Sequence, residues 1–186
     1  PGNNGFSIQG TKLFVPDAHV ADYLICVART KDTQKLEDGI TLFLVDSKSS
    51  GISYPPLKTI AGDKQYEVIF DNVQVSSSSI LGKIGDGWHP IEKALQKATV
   101  ARCAEIVGGA EQVLEMTIDY AKQRVQFEHP IGSLQSIQHY CANMAIDVLG
   151  CSLLTYKLAW CLDKKLPASR EVAMAKAWTS ERFRKI

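Results

Sequence analysis

A long row of apolar residues in the second half of the chain constrains the fold more than any other sequence feature. The row advances in steps of three and four and consists of Leu134, Ile137, Cys141, Met144, Val148, Cys151, Thr155, Leu158 and Leu162. Such steps place the side chains along one face of an α-helix. At 1.5 Å per residue, about 30 residues make a row of roughly 45 Å. We therefore expect a helix that begins near Ser133 and needs other long helices to cover this face.

A helix is also predicted on each side of this row. Gly85-Asp86-Gly87 ends the preceding pattern, Pro90 suits a first helical turn, and apolar residues then recur up to Phe127. The residues expected on one face are Val107, Leu114, Ile118, Ala121 and Val125. A break at residues 166–169 precedes a third helix, which we expect to start at Arg170 and to continue to Ile186. Residues 85–186 thus resemble part of an up-down, four-helix type of bundle.

Gly108 and Gly109 lie inside the first of these predicted helices. Each glycine costs about 1 kcal/mol relative to alanine in a helix interior. We therefore expect another backbone to approach the helix closely at this pair.

Residues 1–84 have the pattern of β-strands. Gln9-Gly10 predicts a hairpin turn between strands at Phe6–Ile8 and Lys12–Val15. Four further apolar runs end at Gly, Pro, Asp or Asn, and they lie at residues 23–28, 40–45, 52–54 and 66–70. The sequence therefore predicts an α+β chain of two domains, an antiparallel β-sandwich or barrel (1–84) followed by an incomplete helical bundle (85–186).

The composition is that of an ordinary globular protein, 45% hydrophobic and 22% charged with a net charge of +1. This charge excludes binding to nucleic acid or to an anionic bilayer by electrostatics alone. Apolar runs such as Val148–Leu154 are shorter than the roughly 20 residues of a membrane span. The five cysteines include no C-x-x-C pair, and no export signal is visible. We expect reduced, buried thiols and a chain that is not secreted.

The chain opens without Met, and its last predicted helix has no stop signal before Ile186. Both features favour a fragment of a longer protein.

No self-contained catalytic or metal site is predicted. The four histidines, His19, His89, His129 and His139, have no metal-binding spacing. The sequence also lacks a nucleophile elbow, a phosphate loop and a dinucleotide fingerprint. Gly82, Gly85 and Gly87 are interpreted as turn residues.

Polar and aromatic residues cluster where the first long helix should end, between Gln123 and Gln135. Arg124 offers a planar fork of donors, and Gln135 offers an amide at the positive end of the next helix. Together they could hold a pyrophosphate or the edge of a ring. Alternatively, Arg124 satisfies the last carbonyls of its own helix and Phe127 plugs the core beneath the loop.

The same residues carry a resemblance to a known family. Three segments resemble the helix-loop-helix hallmark of the acyl-CoA dehydrogenases, and they are Tyr120–Phe127, Pro130-Ile131-Gly132 and Leu134–His139. Gly10–Ala18 and Phe70–Val75 resemble strands of the same family. The resemblance runs in order over essentially the whole chain.

The resemblance implies a middle β domain, the first helices of a C-terminal bundle, and bound FAD. Phe14, Val15 and Pro16 would approach the flavin ring, and Arg124, Phe127 and Gln135 would contact the FAD of a neighbouring subunit in a dimer or tetramer. The parent enzyme would oxidise an acyl-CoA between its α and β carbons and pass electrons to an electron-transfer flavoprotein. It would act in a bacterial cytoplasm or a mitochondrial matrix. The fragment alone should be colourless and inactive.

Several residues depart from the family pattern. Ala98 stands where some relatives place the catalytic Glu, so that branch of the family does not apply, and the resemblance implies a catalytic Glu downstream of Ile186. No catalytic residue is assigned in this chain, and Glu105 and Glu111 are interpreted as solvated or packing residues. Thr99 replaces a common Arg, with Arg102 one turn later, and these two are the candidate substrate contacts. Glu128 replaces the usual Gly after Phe127. These departures are what a non-catalytic oligomerisation or binding paralogue on the same scaffold would show. A related flavin oxidase or monooxygenase is a further alternative.

Overall fold

The computed structural model describes residues 5–186. Within them the chain forms two compact units, of which the first ends at Ile91 and the second is Glu92–Ile186. The strands of the first unit are β1 (Gly5–Pro16), β2 (Tyr23–Arg29), β3 (Ile40–Asp46), β4 (Ile52–Ser53), β5 (Pro56–Leu57), β6 (Gln65–Ser76) and β7 (Ile80–Leu81).

The first unit is a sandwich of two antiparallel sheets. One sheet has the order β1-β6-β4, with β5 also paired to β6, and the other has the order β2-β3-β7. Side chains of both sheets and Ala18 of the turn after β1 form the core. Its strand residues are Ile8, Cys26, Phe43, Val45, Val68, Phe70, Val73 and Val75. The predicted antiparallel sandwich is confirmed.

The predicted hairpin at Gln9-Gly10 is wrong. β1 runs without a turn through both residues and pairs with β6 along its whole length. The register shifts between Ile8 and Gly10, and Gly10 has a φ of 145°. The freedom of this glycine therefore serves a β-bulge, because the long strand β6 offers a continuous partner on which β1 can extend.

The glycines that follow β7 pack on β3. The Gly87 N–H donates to the Ile40 carbonyl at 2.7 Å, and the Gly85 N–H donates to Thr41 Oγ1 at 2.8 Å. A Cβ at Gly87 would lie only 2.9 Å from the Ile40 oxygen. Gly87 is therefore needed for close backbone approach.

Three long helices follow, α1 (Trp88–Gln123), α2 (Gln135–Asp163) and α3 (Ser169–Phe183). Every residue of the row that predicted α2 is buried or half-buried. The core between the helices contains Cys103, Leu158, Cys161, Ala168 and Ala175. This confirms that the row is the packing face of α2.

Helices α2 and α3 pack closely through one aromatic contact and one ion pair. A Cβ at Gly150 would lie 3.1 Å from Trp178 Nε1, so this glycine makes room for the indole. The Arg182 guanidinium lies 4.4 Å from the centre of a Trp178 ring and 3.4 Å from Asp147 Oδ1. The ion pair to Asp147 therefore joins α3 to α2, while the cation–π contact to Trp178 lies within α3 and orients the arginine side chain.

Two predicted helix ends need correction. α1 ends at Gln123 rather than Phe127, because Val125 enters a short strand and is exposed. α2 begins at Gln135, near Ser133 as predicted, after a 3-10 turn over Ile131–Ser133. α3 ends at Phe183 rather than running to Ile186.

We expected another backbone to approach α1 closely at Gly108 and Gly109. Only Gly109 is in contact with a neighbouring element, and no backbone makes that contact. A Cβ there would meet the Phe183 ring of α3 at 3.5 Å, so a side chain rather than a backbone packs on it. A Cβ at Gly108 would meet no other group within 4 Å, and this glycine faces outward.

By length and composition α2 could cross a bilayer, since its most apolar window has a mean hydropathy of 1.4. Apolar residues on several faces of α2 all contribute to this mean hydropathy. The uninterrupted apolar runs in the sequence are short and therefore did not indicate it. Its packed row of side chains is what the core helix of a bundle shows.

Candidate functional site

A β-hairpin joins α1 to α2 and carries most of the predicted site. Its strands are β8 (Val125–Gln126) and β9 (His129–Pro130), which pair antiparallel. The Ile131 N–H donates to the Arg124 carbonyl at 2.8 Å and so ties the far end of the hairpin to the end of α1. The hairpin thus returns the chain to α1 before α2 begins.

Gly132 allows this return. A Cβ at this position would lie 3.0 Å from the Ala121 carbonyl oxygen of α1. Arg124 directly follows α1, and Gln135 is the first residue of α2. The hairpin therefore places the two predicted cofactor residues at neighbouring helix ends.

The turn of this hairpin has a strained backbone. Phe127 and Glu128 are its two loop residues, and their φ angles are 53° and 69°. Two positive φ angles in a two-residue loop are typical of a type I′ turn, which favours Asn-Gly. For other residues each such conformation costs about 1–3 kcal/mol.

Phe127 points into solvent, with 79% of its surface exposed. The alternative in which Phe127 plugs the core beneath the loop is therefore wrong for these residues. An exposed aromatic ring on a strained turn can instead stack on a planar ligand.

Arg124 and Gln135 are exposed as well. Among residues 5–186 neither side chain forms a hydrogen bond, and Arg124 forms no ion pair. The Arg124 backbone N–H donates to the Tyr120 carbonyl at 2.9 Å, but the guanidinium does not cap α1. A cationic fork and an amide are thus available for a ligand at this end of the second unit.

The hairpin also contains a hydrogen-bond cluster that the sequence did not predict. Ser133 Oγ lies 2.7 Å from both His129 Nδ1 and the Pro130 carbonyl oxygen. The Gln138 side-chain amide donates to the Gly132 carbonyl at 3.0 Å. A serine three residues after the proline could have suggested the contact to the Pro130 carbonyl, since serines often bond nearby backbone groups.

In the first unit, Phe14 is presented in a similar way. It has a φ of 57°, lies where the β1 register shifts between Lys12 and Val15, and is 66% exposed. Bulges of this kind redirect side chains beside functional sites. Val15 and Pro16 follow and pair with Tyr66 and Gln65 of β6.

Val15 and Pro16 also line a cavity of about 600 Å³ between β1 and β2, which is mostly apolar. Cys26 lies on the wall of this cavity, and burial raises the pKa of its thiol, while the Lys12 charge opposes the shift. A thiol with a raised pKa is a packing residue rather than a nucleophile.

The two candidate substrate residues of α1 are already engaged in local contacts. The Thr99 hydroxyl donates to the Leu95 carbonyl at 2.9 Å. The Arg102 guanidinium pairs with Glu105 Oε2 at 2.5 Å, and both side chains are exposed. Arg102 also lines a groove of about 510 Å³ with Lys176 and Phe183 of α3.

The chain is a two-domain α+β protein in which a β-sandwich is followed by long helices. Its loops carry exposed aromatic and basic residues. The family model described as "Acyl-CoA dehydrogenase, middle domain" matches residues 1–73, and "Acyl-CoA dehydrogenase, C-terminal domain" matches residues 85–186. The chain belongs to the acyl-CoA dehydrogenase family.

Known relatives extend this match over nearly the whole chain. It is 35% identical to the 3-(aryl)acrylate reductase of Clostridium sporogenes over 95% of its length and 47% of that protein. It is 34% identical to an acyl-CoA dehydrogenase of Bacillus subtilis over 96% of its length and 48% of that protein. The solved structure "PigA with FAD and proline" superposes with a TM-score of 0.93 at 27% identity and covers 100% of this chain and 49% of that one. The chain spans about half the length of the curated relatives it matches.

Proposed function

We propose that this chain is part of a flavin-dependent enzyme that removes hydrogen from the α and β carbons of an acyl-CoA. The observation that carries the proposal is the β8–β9 hairpin, which presents Arg124, Phe127 and Gln135 without partners among residues 5–186. Membership of the acyl-CoA dehydrogenase family supports the choice of FAD as the ligand.

The side chains fit FAD chemically. Arg124 would bind the pyrophosphate of a neighbouring subunit's FAD with two parallel hydrogen bonds, and the Gln135 amide would bind a polar edge of that nucleotide. Phe127 would pack against a ring of the cofactor. Phe14, Val15 and Pro16 would provide an apolar contact to the flavin from the β-sandwich. When bound, FAD would accept the hydride that leaves the β carbon.

Glu128 works against this fit, because its carboxylate is adjacent to Phe127 and would repel a phosphate. Arg124 would have to compensate for that repulsion. Removing the carboxylate should therefore strengthen binding of an anionic ligand.

The other groups of the reaction are assigned less completely. A carboxylate would take the α proton, and Ala98 on α1 cannot do so because its side chain has no proton acceptor. Thr99 and Arg102 are the proposed substrate contacts. Arg102 would have to exchange its Glu105 partner for the substrate, and the Thr99 hydroxyl can still accept a hydrogen bond.

The reverse reaction is the second candidate. The relative from Clostridium sporogenes is named as a reductase, so a flavin enzyme that reduces an α,β-unsaturated substrate is supported by a specific comparison. An electron-transfer flavoprotein is the proposed redox partner, since one relative is described as a subunit of a caffeyl-CoA reductase-Etf complex. A homo-oligomer in a bacterial cytoplasm or mitochondrial matrix is proposed on the family resemblance.

The test uses the product of the complete gene. Its visible spectrum should show bound flavin, and an anaerobic titration with saturated acyl-CoA should bleach the flavin band and yield the enoyl-CoA. Bleaching that occurs only with a reductant, followed by recovery with an unsaturated substrate, would instead establish the reductase. A colourless protein that does not change acyl-CoA would instead favour the non-catalytic paralogue.

A substitution at Arg124 tests the cofactor assignment separately. Arg124→Gln should weaken FAD binding by about 10–100-fold, the effect of losing one charge-assisted contact. Arg170→Gln is the matched control, because Arg170 is also exposed but lies in the first turn of α3. Equal FAD affinities for the two variants would contradict the role of Arg124.

A further inference from the structure

The hydrogen-bond cluster after the strained turn has a defined direction. The Pro130 carbonyl can only accept, so the Ser133 hydroxyl donates to it. Because that uses the only hydroxyl proton, the contact to Ser133 Oγ assigns the proton of the imidazole to His129 Nδ1, which also lies 3.3 Å from the Pro130 oxygen. A serine and a histidine thereby bridge β9 and the 3-10 turn Ile131–Ser133.

This bridge lies on a segment that is anchored on both sides. The Ile131 N–H bonds to the Arg124 carbonyl at the end of α1, and the Gln138 amide bonds to the Gly132 carbonyl from α2. Between these anchors, Phe127 and Glu128 have a backbone conformation that neither residue type favours. Such a turn persists only while its flanking strands are held in place.

We propose that Ser133 and His129 are positioning residues for the cofactor site. Their hydrogen bonds fix Pro130 in β9, hold the Phe127–Glu128 turn in its strained form, and keep Phe127 and Arg124 presented to FAD. The inference rests on the proposed function, because FAD is the ligand that the turn serves.

The experiment uses the product of the complete gene, freed of its flavin, and two measurements. Amide hydrogen exchange at Ile131, read by mass spectrometry, reports on closure of the hairpin without any ligand. Quenching of flavin fluorescence during a titration with FAD reports on binding. In Ser133→Ala we expect exchange at Ile131 to accelerate about tenfold and FAD affinity to fall by a similar factor, as loss of one hydrogen bond allows.

Two variants keep this result specific. The Ser136 hydroxyl lies in the first turn of α2, is exposed and has no hydrogen-bond partner among residues 5–186. Ser136→Ala should therefore change neither measurement. Ser133→Thr retains the hydroxyl and should restore both.

The double variant Ser133→Ala with Glu128→Gly separates positioning from direct contact. Glycine relieves the strain at position 128, so the turn no longer needs the bridge, and the double variant should match the single variant Glu128→Gly in both measurements. An FAD affinity below that of Glu128→Gly at equal Ile131 protection would overturn the positioning role. So would Ile131 exchange that does not respond to Ser133→Ala, or exchange that responds without any change in FAD affinity.

Failure of the proposed function has a different signature. A complete protein that binds no FAD, or whose FAD affinity is unchanged by Arg124→Gln, would contradict the cofactor assignment and, with it, the role toward FAD. The exchange data would then show separately whether Ser133 holds the turn.

Discussion

Glu128 has a backbone conformation that glycine adopts at much lower cost. Its φ of 69° is in the left-handed region, where a Cβ is unfavourable by about 1–2 kcal/mol. Glu128→Gly should therefore raise the free energy of unfolding by about 0.5–1 kcal/mol after the greater flexibility of glycine in the unfolded chain is subtracted. Urea unfolding measures this change. Glu115→Gly, the same substitution inside α1, should instead lower it by about 1 kcal/mol.

The cysteines should differ in their reactivity. Cys141 is half-buried, whereas Cys26, Cys103, Cys151 and Cys161 are buried. Burial raises the pKa of the Cys26 and Cys151 thiols, so less thiolate is present at mildly alkaline pH. Mass spectrometry after brief treatment with iodoacetamide should find Cys141 alkylated first. Equal labelling of Cys26 and Cys141 in the folded chain would contradict this, and in denaturant all five should react alike.

Single-residue features were predictable only where the sequence carries a local signal. Arg124 and Gln135 were proposed because their residue types at a helix junction suit anion and amide contacts, and both are exposed, but their role toward FAD stays a prediction. The exposure of Phe127 could not be foreseen, since a phenylalanine in a loop suits a core position equally well until its φ is known. The Ser133–His129 contact depends on the 3-10 turn, which no sequence pattern indicated.

At the scale of elements, spacing predicted helices better than strand pairing. The prediction for the α2 row was correct because a repeat sustained over nine positions keeps one helix face apolar along the whole helix. The hairpin predicted at Gln9-Gly10 was wrong because a glycine between two apolar runs is equally consistent with a turn and a bulge. The choice depends on β6, a strand more than 50 residues away in sequence.

The helix glycines provide a matched test of packing against propensity. Gly108 has open space around it, so Gly108→Ala should stabilise the chain by about 1 kcal/mol. Gly150→Ala brings the same gain in propensity, but its Cβ would meet Trp178 at 3.1 Å and displace the ring from Arg182. We expect no stabilisation or a loss from it. Unfolding midpoints in urea compare the two, and equal gains would show that the Trp178 contact carries no cost.

At the scale of the whole chain, α2 carries a second apolar row that the described residues do not cover. Ile146, Leu149, Leu153, Tyr156 and Trp160 advance in steps of three and four, and all are exposed. An exposed row of this kind is the seam along which helices pair. Large apolar surfaces on an isolated chain favour association.

We therefore expect the 186-residue chain to self-associate through this second row. In an antiparallel pair of α2 helices, Leu153 would face its own copy and Ile146 would face Trp160, so a small side chain would meet a large one. Sedimentation equilibrium should show a concentration-dependent dimer or larger assembly. Leu153→Glu should shift the chain toward the monomer, because two carboxylates would be buried against each other. Leu36→Glu is the control, since Leu36 is more exposed but lies in the loop between β2 and β3. A wild-type chain that stays monomeric at all concentrations, or a Leu36→Glu variant that dissociates equally, would show that the second row is not the association surface.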